Sequence, residues 1–381
     1  MRTIAVITGT RSEYGYLKPL MEAIAHDKDL ALQPLVTGMH LFSDFGCTST
    51  AVLNDFPDAT IVPMDLPGDK LSDMAEYLAS GIKNFSCQFQ LHRPDIVVVL
   101  GDRSESLAAA LAALYHNIPI AHINGGDVSG TTIDESIRHA ITKLAHLHFV
   151  HSKENATRVE RMGEDPHHIY ITGSLALDTI LHANLPSKQE IFAKYGLDSS
   201  KPLFLVVHHP VTTLPDKGLS QLKALFNALD ALKEQTVVIY PNCDAGGQEF
   251  IAYLHSIEQQ SFIHAFQSLP HVDYLALLKN TDVMLGNSSS GILEAPSFRI
   301  PVINIGSRQQ GRARLENILD VDPDTKQILH AIHTAMNDKH FRKTLHKVSN
   351  PLGNGTAAQS IIKILKDVPL TPSLIQKQIT Y

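Results

Sequence analysis

Short apolar runs alternate with helical stretches along almost the whole chain. In the first half the helical pattern is clearest over 15–26, 71–91 and 104–115. The apolar runs are continuous rather than alternating with polar residues, which is typical of parallel strands buried on both faces. These runs are IAVITG (4–9), LQPLVTG (32–38), DIVVVLGD (95–102), IPIAHING (118–125) and LHFVHS (147–152). Strand–helix repetition of this kind predicts a doubly wound α/β domain.

The same alternation restarts after a polar stretch, LPSKQEIFAKYGLDSSKP. Its strands are predicted at 202–210, 236–242, 261–266, 282–287 and 301–306. A chain of 381 residues is also too long for one ordinary core. We therefore predict an α/β fold of two Rossmann-like doubly wound domains that face each other across a cleft. The N-terminal domain should span 1–180 and the C-terminal domain 181–363, with a final helix, 364–381, packing back onto the first.

Composition narrows the class of protein. The formal net charge of −7 argues against a nucleic-acid partner, because a phosphate backbone is held mainly by clustered lysine and arginine. Three widely spaced cysteines fit a reducing compartment. The N-terminus, MRTIAVITGT, turns polar too soon for a signal peptide, and no apolar run reaches the length of a membrane span. We expect a cytoplasmic enzyme with no membrane partner.

The segment DVMLGNSSSGILE (282–294) is the most informative stretch. A strand breaks into Asn287, Ser288 and Ser289 and then opens a helix, whose first N–H groups and dipole would form a seat for a phosphate or diphosphate. Glu294 could accept hydrogen bonds from vicinal sugar hydroxyls. The alternative is that NSSSG merely caps the helix. Arg308, after the next strand, favours a nucleotide site because its planar fork can close over a diphosphate.

Polar residues also follow the strands of the first domain. Arg11, in the turn Gly9-Thr10-Arg11-Ser12-Glu13, either contacts a phosphate at the next helix or is simply exposed, and the glycines and Glu13 favour the phosphate. Asp102 beside Arg103 is either a local ion pair or a cleft acid/base. Their place at the carboxyl edge of a parallel sheet favours catalysis.

A glycine-rich loop, GGDVSGTTIDESIRHA, carries several acids. Asp127, Asp134 and Glu135 could shift one another's pKa for acid/base chemistry, whereas Thr132 or Asp134 could instead cap a helix. In the second half, His208 and His209 end a strand, where a histidine could bind phosphate or transfer a proton. The sequence holds no HExxH, Walker loop, GxSxG or spaced GxGxxG, so we expect neither a metal nor a cofactor.

Taken together, these segments resemble the hydrolysing UDP-N-acetylglucosamine 2-epimerases, which start the synthesis of sialic-acid-type sugars. The matching motifs run over nearly the whole chain: GTRSEYG, VTGMHL, GDRSESLA, HINGGDVSGTTIDESIRHAITKLAHLHF, TGSLALD, HHPVTT, YPNCDAGG, GNSSSGILEAP, PVINIGSRQQGR and NPLGNG. The resemblance implies a glycosyltransferase-B-like fold, with the nucleotide sugar between two Rossmann-type domains. It also implies a homodimer or homotetramer.

The family further implies roles for individual residues. Contacts to uridine diphosphate are implied for Arg11, Gly15, Arg103, His209, Asn242, Ser288, Ser289, Glu294 and Arg308, and the acid/base candidates are Asp102, Asp134 and Asp127. A base removes the proton at C2 while UDP leaves C1, giving a 2-acetamidoglucal. Water then adds at C1 and a proton returns to C2 with inversion.

Two substrates remain open at this point. UDP-N-acetylglucosamine would give N-acetylmannosamine (ManNAc) and UDP, whereas relatives act on 2,4-diacetamido-2,4,6-trideoxy sugars for legionaminic acid. Asp127 and Asn124 depart from the family pattern, which leaves the general base and the sugar undecided. A glycosyltransferase on the same fold, which would transfer the sugar to an acceptor instead of water, is the alternative from another class.

Overall fold

The computed structural model describes residues 1–130, 132–214 and 217–381, which form two compact units. Unit 1 consists of Met1–Asp127, Ile133–His182 and Leu352–Tyr381. Unit 2 consists of Val128–Thr132 and Ala183–Pro351. Each unit is built around its own parallel sheet.

Strands and helices alternate along the chain, as the apolar pattern predicts. Their bounds, in chain order, are β1 (Arg2–Thr8), α1 (Arg11–Ala25), β2 (Leu30–Val36), α2 (Ser49–Asp55), β3 (Thr60–Ile61), α3 (Leu71–Leu91), β4 (Ile96–Leu100), α4 (Ser104–Tyr115), β5 (Ile120–Ile123), α5 (Ile133–Leu144), β6 (Leu147–Val150), α6 (Lys153–Arg161), β7 (Ile169–Ile171), α7 (Leu175–His182), α8 (Lys188–Lys194), β8 (Leu203–Val207), α9 (Gly218–Leu232), β9 (Gln235–Ile239), α10 (Gly247–Ile257), β10 (Ile263–Phe266), α11 (His271–Asn280), β11 (Val283–Gly286), α12 (Ser290–Leu293), α13 (Ala295–Phe298), β12 (Val302–Ile305), β13 (Ile318–Val321), α14 (Thr325–Asn337), α15 (Lys339–Leu345), α16 (Ala357–Asp367) and α17 (Pro372–Ile375).

Unit 1 contains a seven-stranded parallel sheet in the order β3-β2-β1-β4-β5-β6-β7. Its central strands are buried on both faces: one core cluster packs β1 and β4 against α1 and α16, and another packs them against α3 and α4. Burial on both faces is the reason that these strands read as continuous apolar runs.

The C-terminal segment belongs to unit 1 because its helix is anchored there. Asp178 of α7 accepts hydrogen bonds at the start of α16 from the backbone N–H groups of Ala357 (3.0 Å) and Ala358 (2.7 Å). Unit 2 therefore ends at Pro351 instead of residue 363. The range 364–381 contains the end of α16, which stops at Asp367, and the short α17, which begins at Pro372.

Unit 2 contains a six-stranded parallel sheet in the order β10-β9-β8-β11-β12-β13. On it, α14 packs with α9, and α11 packs with α8 and α13. Three edge strands, β3, β7 and β13, gave no clear apolar run because they are short and only partly buried. Asp320 lies in β13, whereas Asp324 caps α14 by accepting from the N–H groups of Lys326 and Gln327.

In each sheet the direction of chain progression reverses between two neighbouring strands. The reversal falls between β1 and β4 in unit 1 and between β8 and β11 in unit 2. In open parallel sheets, ligands bind beyond the carboxyl ends of the strands at such switch points. No helix among the described residues combines the length and apolar character needed to span a membrane.

Candidate active site

The turn after β1 brings Arg11 to the switch point of the first sheet. Thr10 caps α1 by accepting from the Glu13 N–H at 3.2 Å, and Glu13 Oε2 accepts from the N–H groups of Gly9 (2.9 Å) and Thr10 (3.1 Å). Glu13, which in the sequence favoured a phosphate contact of Arg11, is therefore the acid of a capping box. The capping box also starts the helix at Arg11 instead of residue 15.

Gly15 lies in the body of α1, one turn beyond Arg11. It is buried, and its carbonyl accepts a hydrogen bond of 3.0 Å from the Thr179 hydroxyl of α7. Gly15 therefore lies where α1 packs against α7 within unit 1. A direct contact of Gly15 with uridine diphosphate stays a prediction.

A buried arginine holds Asp102 at the carboxyl end of β4. Arg138 of α5 is 1% exposed and forms an ion pair with Asp102 Oδ2. Its guanidinium also lies 2.7 Å from Glu135 Oε2 and donates to the Asp127 carbonyl at 3.3 Å. The structure therefore gathers the acids of two loops around one cation.

The neighbouring carboxylates stabilise the positive charge of Arg138. Burial opposes it, but the negative charges of Asp102, Asp127 and Glu135 hold the pKa of Arg138 above its ordinary value. Asp134, the third candidate acid, lies beside Glu135 in the first turn of α5. The sequence analysis missed Arg138, although the repeated acids of this loop called for a counter-charge.

Arg103 lies at the start of α4, where its Nε faces Glu105. The Nε of Arg103 is 3.4 Å from Oε2 of Glu105, a carboxylate that is fully buried. Glu105 is a second residue that the sequence analysis missed. An acid in the first turn of a helix is usually read as a cap, so the sequence carried no signal for its burial.

Two buried histidines, His40 and His122, lie near the turns after β1 and β4 and are neutral. Burial and the charge of Arg11 lower the pKa of His40 to about 4, and burial lowers the pKa of His122 to about 3. His122 bonds through Nε2 to the Gly101 carbonyl at 2.7 Å. Both side chains therefore shape the turns after β1 and β4 and carry no charge at neutral pH.

Asn124, at the end of β5, adopts a left-handed backbone conformation with φ of 68°. This conformation is uncommon for a residue other than glycine and is found preferentially in Asn and Asp. Within the described ranges, no protein group donates to its buried Oδ1 atom. Asn124 thus combines backbone strain with an unused acceptor beside the strand that carries Asp102.

In unit 2, one asparagine joins the ends of β8 and β11. Asn287 Oδ1 accepts from the His209 N–H at 2.7 Å, and its Nδ2 donates to the His209 carbonyl at 2.9 Å. Gly286 permits this approach, since a Cβ there would lie 2.1 Å from the Val207 carbonyl oxygen. The side chain of Asn287 is therefore a structural bridge at the switch point.

The same bridge orients His209. Its Nδ1 accepts a hydrogen bond of 3.2 Å from the backbone N–H of Asn242, after β9. A backbone N–H can only donate, so Nδ1 is the unprotonated nitrogen and Nε2 carries the hydrogen. In this tautomer Nε2 of His209 is a donor, which can bind a phosphate oxygen. Because Nδ1 already accepts a hydrogen bond, this arrangement is less suitable for a base.

Arg308 reaches the same switch point from the turn after β12. Its Nη1 donates to the Asn287 carbonyl at 3.2 Å, and the neighbouring Gln309 donates to that oxygen at 2.8 Å. Burial, followed by the charge of Arg308, lowers the pKa of His208 to about 3. Arg308 thus places a cation at this edge of the second sheet.

The helix expected after the serine loop is present but short. α12 has four residues and ends at Leu293, with Glu294 as its C-cap, and Pro296 lies at the start of the separate turn α13. The dipole contribution to an anion seat is correspondingly small. Ser288 Oγ accepts from the Ser290 N–H at 3.3 Å, and Ser289 precedes the helix, so part of this loop does cap it.

Glu294 lies deeper than the sequence suggested. It is 1% exposed, and its Oε1 is 2.9 Å from Nε2 of His271. Its predicted contact with vicinal sugar hydroxyls stays a prediction.

The loop that carries Asp127 runs directly into the segment Val128–Thr132, which belongs to unit 2. Arg312 Nε donates to the Val128 carbonyl at 2.8 Å. Gly130, with φ of +62°, lies where a Cβ would come within 2.6 Å of the Ser307 carbonyl oxygen. The arginine-rich turn after β12 therefore holds this segment.

Comparison with known proteins identifies the family. The family model described as UDP-N-acetylglucosamine 2-epimerase matches residues 22–366. A UDP-N,N'-diacetylbacillosamine 2-epimerase (hydrolyzing) of Legionella pneumophila is 36% identical over 378 residues, which cover 99% of both chains. A UDP-N-acetylglucosamine 2-epimerase of Neisseria meningitidis serogroup B is 36% identical over 336 residues, 88% of both chains.

Solved structures agree in fold. A structure of S. aureus MnaA with UDP superposes with a TM-score of 0.76 at 23% identity, covering 96% of each chain. A Neisseria meningitidis UDP-GlcNAc 2-epimerase bound to UDP-GlcNAc gives 0.77 at 18% identity, covering 96% of this chain and 99% of the other. The predicted fold class, two Rossmann-like α/β domains of the glycosyltransferase-B-like type, is confirmed. With 36% identity over nearly its full length and a family match that spans both units, the chain belongs to the UDP-N-acetylglucosamine 2-epimerase family and is an enzyme of that family.

Proposed function

We propose that the chain catalyses the hydrolysing 2-epimerisation of a UDP-linked 2-acetamido sugar. The reaction consumes one water and releases UDP and the free 2-epimeric sugar. The observation that carries this proposal is the group of acids at the switch point of the first sheet, which Arg138 holds together. Carboxylates are suitable groups for the two proton transfers that the reaction needs.

In the first stage a carboxylate removes the proton from C2 of the sugar while the bond from C1 to the diphosphate breaks. The electron pair of the C2–H bond forms the C1–C2 double bond of a 2-acetamidoglucal, and UDP leaves with the bonding pair from C1. We assign the base role to Asp102, because Arg138 fixes its carboxylate at the end of β4. Asp127 and Asp134 are the remaining candidates for the second transfer.

In the second stage water adds to C1 and a proton returns to C2 on the opposite face. The hydroxyl of water becomes the new C1 substituent, the remaining proton of that water passes to a carboxylate of the site, and a protonated acid supplies the hydrogen at C2. Two acids with separate roles are therefore needed. The loop between β5 and α5, which carries Asp127 and Asp134, supports this requirement.

The leaving group has its own set of candidates in unit 2. His209, Asn242, Ser288 and Arg308 all follow strands at the carboxyl edge of the second sheet. The Nε2–H of His209 and the guanidinium of Arg308 can stabilise negative charge that develops on the departing diphosphate. Fixed donors are effective here because they need little reorganisation during bond cleavage.

Two sugars are proposed as substrates. UDP-N-acetylglucosamine would give ManNAc, and a UDP-2,4-diacetamido-2,4,6-trideoxyhexose would give the corresponding 2-epimer. The second receives support from the Legionella pneumophila relative, which is named for UDP-N,N'-diacetylbacillosamine and matches over 99% of this chain.

The test is to incubate the chain separately with each UDP-sugar and identify the products by NMR, with no acceptor present. We expect free 2-epimeric sugar and UDP in equal amounts from one of the two. Intact UDP-sugar in both incubations would refute the proposal. A glycosyltransferase, the candidate from another class, would need an acceptor and would retain the configuration at C2 of the transferred sugar.

A further inference from the structure

We propose that Glu105 is a positioning residue for this reaction: its buried carboxylate, next to that of Glu13, holds Arg103 at the carboxyl edge of the first sheet. The inference rests on the proposed function and on the contact with uridine diphosphate that the family resemblance implies for Arg103. It adds two residues that do not touch the substrate but determine where Arg103 lies.

The first observation is that two glycines leave room for the side chain of Glu105. Gly9, after β1, has no side chain, and a Cβ there would lie 2.8 Å from Cγ of Glu105. Gly38, after β2, has φ of +59°, and a Cβ there would lie 2.4 Å from Oε1 of Glu105. Two neighbouring strands thus end in glycines at the point where this carboxylate needs room.

The second observation is the set of partners on the two oxygens. Oε1 of Glu105 accepts a hydrogen bond of 2.7 Å from the Tyr77 hydroxyl of α3. Oε2 lies 3.4 Å from Nε of Arg103, whose side chain is 11% exposed. The tyrosine fixes the carboxylate from one side, so the opposite side can hold the arginine in one orientation.

The third observation is a second buried acid. Glu13 is 6% exposed; its Oε2 accepts from two backbone N–H groups, and among the described residues its buried Oε1 has no partner. Burial and then the charge of Glu105 raise the pKa of Glu13 to about 8. The raised pKa favours the neutral form of Glu13 near neutral pH, beside the Glu105 carboxylate that faces Arg103.

The remaining charged groups around Glu13 come from the same elements. Arg103 lowers the pKa of Glu13, Asp102 raises it, and the Gly9 N–H bond lowers it. Tyr77 faces Glu105 from α3, while Arg11 and the neutral His40 lie on the turns after β1 and β2. When Glu13 loses its proton, a second negative charge joins Glu105 and draws Arg103 more strongly away from an anionic substrate.

Two variants test this arrangement. Glu105→Gln keeps the length of the side chain and an acceptor for Tyr77 but removes the charge that faces Arg103. Glu105→Asp keeps the charge on a shorter stem. Glu154→Gln is the matched control, because Glu154 is a surface acid of unit 1 that pairs with Arg158 and has 76% of its side chain exposed.

We expect Glu105→Gln to raise KM for the UDP-sugar about tenfold, with a smaller loss in kcat, as for the loss of one charge-assisted contact. Glu105→Asp should recover part of that loss, and Glu154→Gln should match the wild type. Unchanged kinetics in a folded Glu105→Gln chain would overturn the inference alone. A wild-type chain that turns over neither sugar would refute the proposed function and this inference with it.

Infrared spectroscopy and the pH profile provide readouts that a purely structural role would not move. At pH 7 the wild type should show the C=O band of one buried protonated carboxyl group, and Glu13→Gln should lack it. The wild-type KM should rise between pH 7 and pH 9, whereas KM of Glu13→Gln should stay level. A missing band, or the same rise in both chains, would overturn the inference even if Glu105→Gln does not fold.

Discussion

Replacement of Arg138 by methionine is the strongest test of how Asp102, Asp127 and Glu135 are held together. The change keeps an apolar stem of similar length inside unit 1 but removes the cation that pairs with Asp102 and Glu135. The Asp127 carbonyl also loses the donor that lies 3.3 Å away. The acids would then repel one another, and Asp102 would lose its fixed position at the end of β4.

The size of the effect follows from the exposure of the partners. Breaking a fully buried ion pair costs about 3–5 kcal/mol. The side chains of Asp102 and Glu135 are 24% and 27% exposed, so water can solvate part of their charge. We therefore expect the free energy of unfolding to fall by about 2 kcal/mol. Misplacement of the base should lower kcat about 100-fold.

The assay is UDP release under saturating UDP-sugar, together with urea denaturation of the same preparation. Arg93→Met is the matched control, since Arg93 of unit 1 donates only to the His116 and Asn117 carbonyls among its described hydrogen bonds, at 2.6 and 3.0 Å. Its kcat should equal that of the wild type. A kcat within threefold of the wild type for folded Arg138→Met would refute the role of Arg138 in holding the base.

Four further variants test the other assignments. Asp102→Asn should lower kcat at least about 1000-fold, while the Kd for UDP, measured by calorimetry, stays within threefold; a near-normal rate would remove Asp102 from catalysis. Arg308→Ala should weaken UDP binding by about 1.5–3 kcal/mol, as expected for a charged hydrogen bond, and an unchanged Kd would remove it from the diphosphate site. Asn287→Ala should destabilise the chain to urea by about 2–3 kcal/mol, because the buried His209 N–H loses its 2.7 Å acceptor; a smaller shift than that of Asn280→Ala, a half-buried asparagine with one hydrogen bond to the Ala276 carbonyl, would contradict the bridge. His208→Phe concerns pH: the unfolded chain takes up a proton on His208 below its ordinary pKa of 6.5 while the folded chain does so only near 3, so wild-type stability should fall as pH drops from 6.5 and the variant should fall less steeply.

Much of the fold could be predicted from the sequence because central parallel strands are buried on both faces. The run DIVVVLGD could be assigned to a strand, β4, from its composition alone, and the acids and arginine that follow β4 could be assigned to a sheet edge. Edge strands such as β13 could not be predicted, because one side of such a strand is solvated and carries residues like Asp320.

Only part of the candidate site could be predicted, because the sequence does not show which charged side chains of a helix are buried. Asp102 and Arg308 follow strands, so their position in the sheet identified them. Arg138 and Glu105 lie within helices, and only the tertiary structure reveals that each is a buried charge with its partners on other segments. The burial of Glu13 beside Glu105 could not be predicted either, because an acid in the turn after β1 is equally typical of a helix cap, which Glu13 also provides.

The central claim is that acids at the edge of the first sheet move a proton at C2 while UDP leaves C1. The most direct measurement is turnover of the preferred UDP-sugar in deuterated water, with the released sugar analysed by mass spectrometry and NMR. We predict one deuterium at C2 of every released 2-epimeric sugar, together with one UDP. Free sugar that keeps its original hydrogen at C2 would contradict the account.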